Sequence, residues 1–413
     1  MRWRVAKALF FSAAIAGYSA GALLLAPNQA AMDSQALIAL GTALFSMVFT
    51  LITLSRFRRY PMVSFGRTSI FFYLAYAGLI SLVVRSISLS VLWPLAFLSI
   101  CSGVIMLLFW SGIVRFVRRK RYLIVPGGSA ADLVASIDQR VDFVMMKQPD
   151  LSNIKEYEID GVVLDTSVEP LRQWLDFTAD AQLKRIPAYA VHELVERYSG
   201  RIALSHVDEA MVTQLQPSTI YRYIKRFVDI VIVVTSCPLV VLAVAVIGVL
   251  IRLESPGSII FRQKRIGESG KPYTIYKFRS MTIDAEDEGP AFAVKDDVRV
   301  TRIGRLIRKM RLDELPQFLN IFKGEMSLIG PRPEQERFVS QYHRTIPYYS
   351  YRQMVKPGIT GWAQVTHGYT ADRDSTEVKL EHDLYYIKHL SIWLDLLIAL
   401  KTLRTVLTGF GAR

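Results

Sequence analysis

Only two cysteines occur in 413 residues, Cys101 and Cys237, and both lie inside apolar runs. That excludes a disulfide framework and a cysteine-based zinc site. His367, His382 and His389 share no metal-ligand spacing and read as structural or surface groups. No A-x-A cleavage site closes the first apolar run, so it is expected to stay as a helix. The basic-aromatic modules that mark nucleic-acid binders are missing too, although the formal net charge is +14. Anionic lipid and phosphate ligands are left to explain that charge.

What the chain has in excess is apolar length. Hydrophobic residues make up 51% of the sequence, and the mean hydropathy of +0.27 is high for a soluble protein. The excess sits before Lys120, around residues 227–251, and more weakly near the C-terminus. Four runs, near 5–26, 35–55, 69–88 and 91–114, each fit a helix of about 20 residues that crosses a ~30 Å hydrocarbon core. Arg85 interrupts the later pair, and the turn between them is short.

Charge orients this bundle. Arg2, Arg4 and Lys7 precede the first run; Arg56, Arg58, Arg59 and Arg67 separate the second from the third. Arg115, Arg118, Arg119, Lys120 and Arg121 follow the fourth, while the loops at 27–34 and 89–90 carry no Lys or Arg. By the positive-inside rule both ends of the bundle face the cytoplasm.

A fifth run, FVDIVIVVTSCPLVVLAVAVIGVL (227–250), is long enough to cross. Its flanks disagree with crossing, since Arg222, Lys225 and Arg226 lie on one side and Arg252, Lys264 and Arg265 beyond the other. Pro238 in its middle removes a helix hydrogen bond, and Ser236 can help satisfy the freed carbonyls. A helix over about 224–251 that enters, bends at Cys237-Pro238 and returns explains both features. An ordinary kinked span is the other reading.

Between the bundle and this run, short Val/Ile-rich stretches (YLIV, VDFVMM, DGVVLD, RIPAYAV) alternate with helix-like segments. That rhythm predicts a small parallel α/β, Rossmann-like domain over 121–217. Gly127-Gly128 is a poor match to a dinucleotide fingerprint, because no third glycine follows on time. A docking or regulatory module is the expectation.

From Ile220 onward the sequence is dense in specific features. IIFRQKRI and YTIYKFRSM flank a turn at 268–272 and predict a β-hairpin bearing Gln263, Arg265, Lys277 and Arg279. MRLDELPQFLN then sets Asp313 and Glu314 ahead of Pro316. Proline and acids both favour the first turn of a helix, so the pair is expected at the start of a helix through 317–322. Arg308, Arg311 and the Arg332 of GPRP add cations. An acid pair among arginines suits metal-assisted phosphoryl transfer, with a carboxylate as ligand or nucleophile. A capped helix end with surface ion pairs is the plainer alternative. Asp284, Glu286 and Asp287 could add contacts or form a solvated loop. Trp362 could stack on a base or sit in the membrane interface, and SIWLDLLIALKTLRTVLTGF suits an interfacial helix or a core helix equally.

The ordered series KRFVDI, SCP, ESPGSIIFRQKRIG, YKFRSM, RLDELPQFLNIFKGEMSLIGPRP, KPGITGWAQV and DLYYIKHLSIWLDLLIALKT resembles the bacterial sugar transferases. These are the polyprenyl-phosphate sugar-1-phosphate transferases, or monotopic phosphoglycosyl transferases. The resemblance covers about the last 190 residues. The preceding bundle and α/β segment match the extended members in arrangement. It implies a multi-pass protein of the bacterial cytoplasmic membrane in three parts. These are a four-helix transmembrane bundle (1–120), the α/β domain (121–217), and a helix-rich α+β catalytic domain with a hairpin and a re-entrant helix (218–413), on the cytoplasmic face.

The implied reaction moves a sugar-1-phosphate from a UDP-sugar to undecaprenyl phosphate with Mg²⁺, releasing UMP and starting an exopolysaccharide, capsule or O-antigen repeat. By the resemblance, Asp313 is the nucleophile and metal contact, and forms a phosphosugar–aspartyl intermediate. Glu314 assists the lipid phosphate, and Lys277, Arg279, Arg308 and Arg332 bind phosphates. The family's Ser-Pro bend falls on Cys237-Pro238, so the serine hydroxyl is lost unless Ser236 supplies it. Direct displacement without a covalent intermediate and a non-catalytic assembly scaffold are the alternatives. A homodimer suits the architecture, and the transferred sugar is not legible.

Overall fold

The computed structural model describes residues 120–126, 141–145, 159–165, 172–207, 211, 213, 215–282, 299–366 and 373–408, with Arg56 and Tyr60. The four apolar runs before residue 115, Gly127-Gly128, the acidic loop with Asp284, Glu286 and Asp287, and His367 lie outside the described residues. The chain divides into two compact units, Met1–Ser199 and Gly200–Arg413.

In the first unit, strands β1 (Lys120–Ile124), β2 (Val141–Met145), β3 (Gly161–Leu164) and β4 (Ala188–Ala190) form a parallel sheet in the order β2-β1-β3-β4. Helix α1 (Arg172–Leu183) connects β3 to β4, and α2 (Val191–Ser199) follows. Tyr122 and Ile124 of β1 pack with Leu194 and Val195 of α2, whereas Leu123 and Val125 pack with Trp174 and Phe177 of α1. A helix covers each face, so YLIV is apolar without a break where a one-sided strand would alternate.

The second unit takes in residues 200–207, which the sequence rhythm assigns to the middle domain. Ile202 N–H donates to the Glu381 carbonyl at 3.1 Å, and Leu204 N–H to the Glu381 carboxylate at 3.2 Å. Helix α3 (Thr219–Glu254) opens this unit, with the Ser218 hydroxyl accepting from Tyr221 N–H at its N-cap. It is the one described helix long and apolar enough to cross a membrane, with a mean hydropathy of 3.0 over its most apolar window. Pro238 lies inside it. The Thr235 and Ser236 hydroxyls donate back to the carbonyls of Val231 and Ile232 at 2.7 and 2.6 Å, a pattern that bends helices.

Both ends of α3 are tied to the same unit. Near the start, Arg226 donates to the Ile321 and Phe322 carbonyls, and Asp229 accepts from Leu328 N–H at 3.2 Å. Near the end, Glu254 accepts from Arg302 and Ile303 N–H at 2.7 and 3.0 Å. Val233 belongs to a core cluster with Ile275, Ile321 and Met326, and Ile247 and Ile251 to one with Phe278 and Ile307. Leu239, Val241 and Leu242 between them are exposed.

The hairpin is present as expected. Strands β5 (Ile260–Ile266) and β6 (Pro272–Phe278) pair antiparallel from Ile260↔Phe278 to Ile266↔Pro272. Its turn places Ser269 and Gly270 at φ 57° and 74°. Helix α4 (Arg302–Lys309), a 3₁₀ turn (Leu312–Gln317) and helix α5 (Phe318–Lys323) follow. Strand β7 (Ser327–Ile329) pairs in parallel with β8 (Gly358–Thr360), with α6 (Glu336–Thr345) between them. Helices α7 (Trp362–Thr366), α8 (Arg373–Lys388) and α9 (Ile392–Thr408) complete the unit.

The structure places Trp362 in the core, against both readings given for it. Trp362 is 1% exposed, donates from Nε1 to the Gly200 carbonyl at 2.7 Å and stacks on Tyr385. It therefore neither meets a base nor lies in a lipid interface. Helix α9 buries Leu394, Leu397 and Ile398, and its Asp395 accepts from the Tyr221 and Tyr386 hydroxyls at 2.7 and 2.8 Å. His382 is buried against the Gly200 carbonyl, and His389 packs on Tyr385.

Candidate active site

The acid pair lies one turn earlier than a helix N-terminus. Helix α4 ends at Lys309, and Arg311 takes a left-handed conformation at φ 59°. That turns the chain into the 3₁₀ segment carrying both acids and Pro316 ahead of α5. Few non-glycine residues hold positive φ, so the surrounding contacts must fix Arg311 there.

Strand β6 presents Lys277 to this turn. Side chains alternate along a strand, so Ile275 and Lys277 share a face. Ile275 packs on Ile321 while the Lys277 ammonium lies 3.3 Å from Glu314. Asn320 fixes the spacing. It accepts from Tyr276 N–H at 3.2 Å and donates to the Thr274 carbonyl at 2.7 Å, filling the open edge of β6.

Arg332 arrives from the loop after β7. Gly330 N–H donates to the Thr360 carbonyl at 2.8 Å, and Gly358 N–H to the Pro331 carbonyl at 2.9 Å. A Cβ on Gly330 would meet the Lys356 carbonyl oxygen at 2.3 Å, and one on Gly358 would meet Gly330 N at 2.1 Å. Glycine in GPRP and in KPGITG is therefore what lets the two backbones touch. Two arginines clamp the loop by its carbonyls. Arg352 donates to the Arg332 carbonyl at 2.9 Å, and Arg265 to that of Pro333 at 3.1 Å. Arg352 also donates to the Tyr349 hydroxyl at 2.7 Å and pairs with Asp383 at 2.9 Å.

These elements gather three cations on one carboxylate. Glu314 is 5% exposed; one of its oxygens lies 3.2 Å from Arg332, 3.3 Å from Lys277 and 3.9 Å from Arg311. Burial opposes its charge, but Lys277, Arg332 and Arg311 prevail and hold its carboxyl at about 2. Burial also pulls the Lys277 ammonium down, against the attraction of Glu314.

Asp313 is in the opposite condition. Burial and then the neighbouring Glu314 charge raise its carboxyl, with Lys277, Arg332 and Arg308 opposing. Its Oδ1 is buried without a hydrogen-bond partner among the described residues. A desolvated carboxylate oxygen without a hydrogen bond, set beside fixed cations, marks a candidate functional group. No group of three His, Cys, Asp or Glu side chains among the described residues could hold a metal by itself.

The structure thus brings Asp313, Glu314, Lys277 and Arg332 together, with Arg308 in the last turn of α4 acting on Asp313 by charge. Arg279 is turned away. Its guanidinium donates to the Ser255 and Pro256 carbonyls at 2.8 and 2.7 Å and closes the end of α3. Gln263 accepts from Arg265 at 2.6 Å, and Cys237 is a free, exposed thiol beside Pro238. Sequence reasoning passed over Asn320, Arg352 and Asp383. A lone asparagine inside the apolar run QFLNIF was the available signal for the first.

The second unit thus sets a carboxylate pair among cations and also carries a long helix with an exposed apolar middle. The sequence profile of the bacterial sugar transferases matches residues 220–409. A UDP-N-acetylgalactosamine-undecaprenyl-phosphate N-acetylgalactosaminephosphotransferase of Aeromonas hydrophila is 43% identical over 381 residues, 91% of this chain and 88% of that protein. A UDP-glucose:undecaprenyl-phosphate glucose-1-phosphate transferase of Escherichia coli is 42% identical over 195 residues, 47% of this chain and 41% of that protein. A galactosyl transferase of Streptococcus agalactiae is 33% identical over 279 residues, 63% of this chain and 55% of that protein. The chain belongs to the bacterial sugar transferase family and is a transferase.

Proposed function

We propose that the chain transfers a sugar-1-phosphate from a UDP-sugar to undecaprenyl phosphate at the cytoplasmic membrane face, initiating a polysaccharide repeat unit. The observation that carries this is the 43% identity to the Aeromonas transferase along 91% of the chain. UDP-N-acetylgalactosamine is accordingly the first donor to test. The printed activities of the relatives differ in sugar, so the family alone does not choose it.

Asp313 supplies the nucleophile. Its uncommitted oxygen attacks the β-phosphorus of the donor; the O–P bond to aspartate forms as the bridging P–O bond breaks, and UMP leaves with the bridging oxygen. A phosphate oxygen of the lipid then attacks the same phosphorus. The aspartyl O–P bond breaks, the carboxylate returns, and a lipid diphosphosugar leaves. Lys277 and Arg332 offset the charge on the transferring group.

A carboxylate held at about 2 is a weak base. Glu314 is therefore best read as the anion that holds Lys277 and Arg332 in place. Mg²⁺ is held through one or two carboxylates together with substrate phosphates. The Asp313 carboxylate, with one oxygen for phosphorus and the other for the ion, fits that arrangement, whereas the clustered Glu314 oxygen is already shared by three cations. When bound, the ion would neutralise phosphate charge.

Helix α3 carries the membrane part of the proposal. A straight run from Arg226 to Glu254 would extend roughly 42 Å, yet both residues bond to one unit. A re-entrant course bent near Cys237-Pro238 accounts for both attachments and for the exposed apolar middle.

The test uses purified full-length protein in lipid nanodiscs with undecaprenyl phosphate, Mg²⁺ and UDP-N-acetylgalactosamine, UDP-galactose or UDP-glucose. UMP release that needs the lipid acceptor, fastest with UDP-N-acetylgalactosamine, is expected. No release with any of these donors overturns the reading.

A further inference from the structure

The 3₁₀ turn that carries the acid pair holds a second buried polar atom without a hydrogen-bond partner among the described residues. It is Nε2 of Gln317, which can only donate. Gln317 is 2% exposed, so bulk solvent does not satisfy it. Native interiors rarely leave such a donor unmade without a reason. Asn320, three residues on, shows how the fold treats an amide with a structural task. Its oxygen accepts from Tyr276 N–H at 3.2 Å, and its nitrogen donates to the Thr274 carbonyl and to Glu325, each at 2.7 Å.

The backbone sets Gln317 on the side of the turn where the cations gather. Residues three apart eclipse in a 3₁₀ helix, so Gln317 stands over Glu314, and these two are the buried residues of the segment. Ile321 extends the same stripe by one helical turn. Contacts to β6 fix both ends of the stripe: Lys277 lies 3.3 Å from Glu314, and Ile275 packs on Ile321. Gln317 falls between them.

We infer that Gln317 is a further catalytic residue, whose Nε2 donates to a non-bridging oxygen of the phosphoryl group that Asp313 receives. The inference rests on the transfer reading above. Asp313 and Gln317 are four residues apart, roughly 6–8 Å along the turn. An extended glutamine side chain and a phosphate on Asp313 together span that gap. Charge in the transition state is shared by the three equatorial oxygens, and a donor already fixed in a desolvated place meets it without reorganising. A neutral amide does this without drawing Glu314 away from Lys277 and Arg332. It keeps its protons throughout, and the bonds made and broken at phosphorus are those given above.

The test compares wild type with Gln317→Met and Gln317→Leu, which remove the amide at similar volume. Full-length proteins in nanodiscs are measured for unfolding midpoint, for UMP release and, by calorimetry, for binding of pyrophosphate. Both midpoints should hold or rise, because a buried unmade donor is lost. The kcat should fall about a hundredfold with KM for the UDP-sugar within about threefold, and pyrophosphate should bind about threefold more weakly or worse. A kcat within about twofold of wild type overturns the proposal and leaves the transfer reading standing. Lowered midpoints in both variants overturn it too, since the amide would then serve the fold. Should wild type release no UMP from any donor, the transfer reading fails and pyrophosphate decides alone. Weaker binding by both variants then keeps Gln317 as a phosphate contact, and equal binding removes it.

Discussion

Arg352, mostly buried in the second unit, donates a 2.9 Å hydrogen bond to the backbone carbonyl of Arg332, whose side chain then reaches Glu314. The same guanidinium is neutralised by Asp383 at 2.9 Å and donates to the Tyr349 hydroxyl. Removing the cation strands a buried carboxylate that burial already raises to about 6 against the pull of Arg352. Arg352→Ala should therefore cost on the order of 3–5 kcal/mol, seen as a lowered midpoint in thermal or denaturant unfolding. Arg352→Lys keeps the charge but loses the planar fork. It should unfold close to wild type and lose activity about tenfold, because the Arg332 loop is no longer held. A lysine variant with full kcat/KM would show that the clamp does not position Arg332.

Glu314 gives a pH prediction with a fixed sign. Its carboxyl is held at about 2, below the ordinary 4.5, after its three cations overcome burial. A depressed acid contributes stability above its unfolded value and loses it as pH falls. The wild-type unfolding free energy should therefore fall between about pH 4.5 and 2, more steeply than in Glu314→Gln. At pH 7 that variant should be destabilised by roughly 3 kcal/mol, since Lys277 and Arg332 keep their charge without their partner. Equal acid profiles in unfolding titrations would refute the assignment.

Much of this cluster was legible in the chain, because LDELPQ, KFRSM and GPRP each announce their charge. What the letters do not carry is direction. Arg279 and Lys277 stand two apart in one strand motif, yet one closes the end of α3 and the other meets Glu314. Burial of the intervening Phe278 in the cluster with Ile247 and Ile251 accompanies that divergence. The Arg352–Asp383 pair was invisible for a different reason. Its partners lie on the 3₁₀ turn Tyr349–Met354 and on α8, and only the tertiary fold brings them together. Trp362 was misplaceable because an apolar side chain reads alike whether lipid or protein covers it.

Asp313 is expected to behave unlike its neighbour. Burial and the Glu314 charge raise its carboxyl, so the acid limb of the kcat/KM profile should fall above an ordinary aspartate value. Asp313→Asn should reduce UMP release by about a thousandfold or more. Its unfolding midpoint should hold or rise, because a buried charge is removed. Turnover within tenfold of wild type would favour direct displacement over an aspartyl intermediate. A phosphosugar adduct on Asp313, trapped without lipid acceptor and located by peptide mass, would support the covalent route.

The course of α3 can be decided by side-specific labelling. Ser218 and Ser255 flank the helix, and Leu239 sits exposed at its middle. With Cys101 and Cys237 replaced by serine, single cysteines at 218 and 255 in intact spheroplasts should both resist a membrane-impermeant maleimide and react after lysis. Cysteine at 239 should stay unreactive in both states, as expected of a bilayer-buried position. The reason is the pair of attachments at Arg226 and Glu254, which bind both ends to the same unit. Labelling of 218 and 255 from opposite sides would require those attachments to break, and would place the acid pair away from any headgroup it could serve.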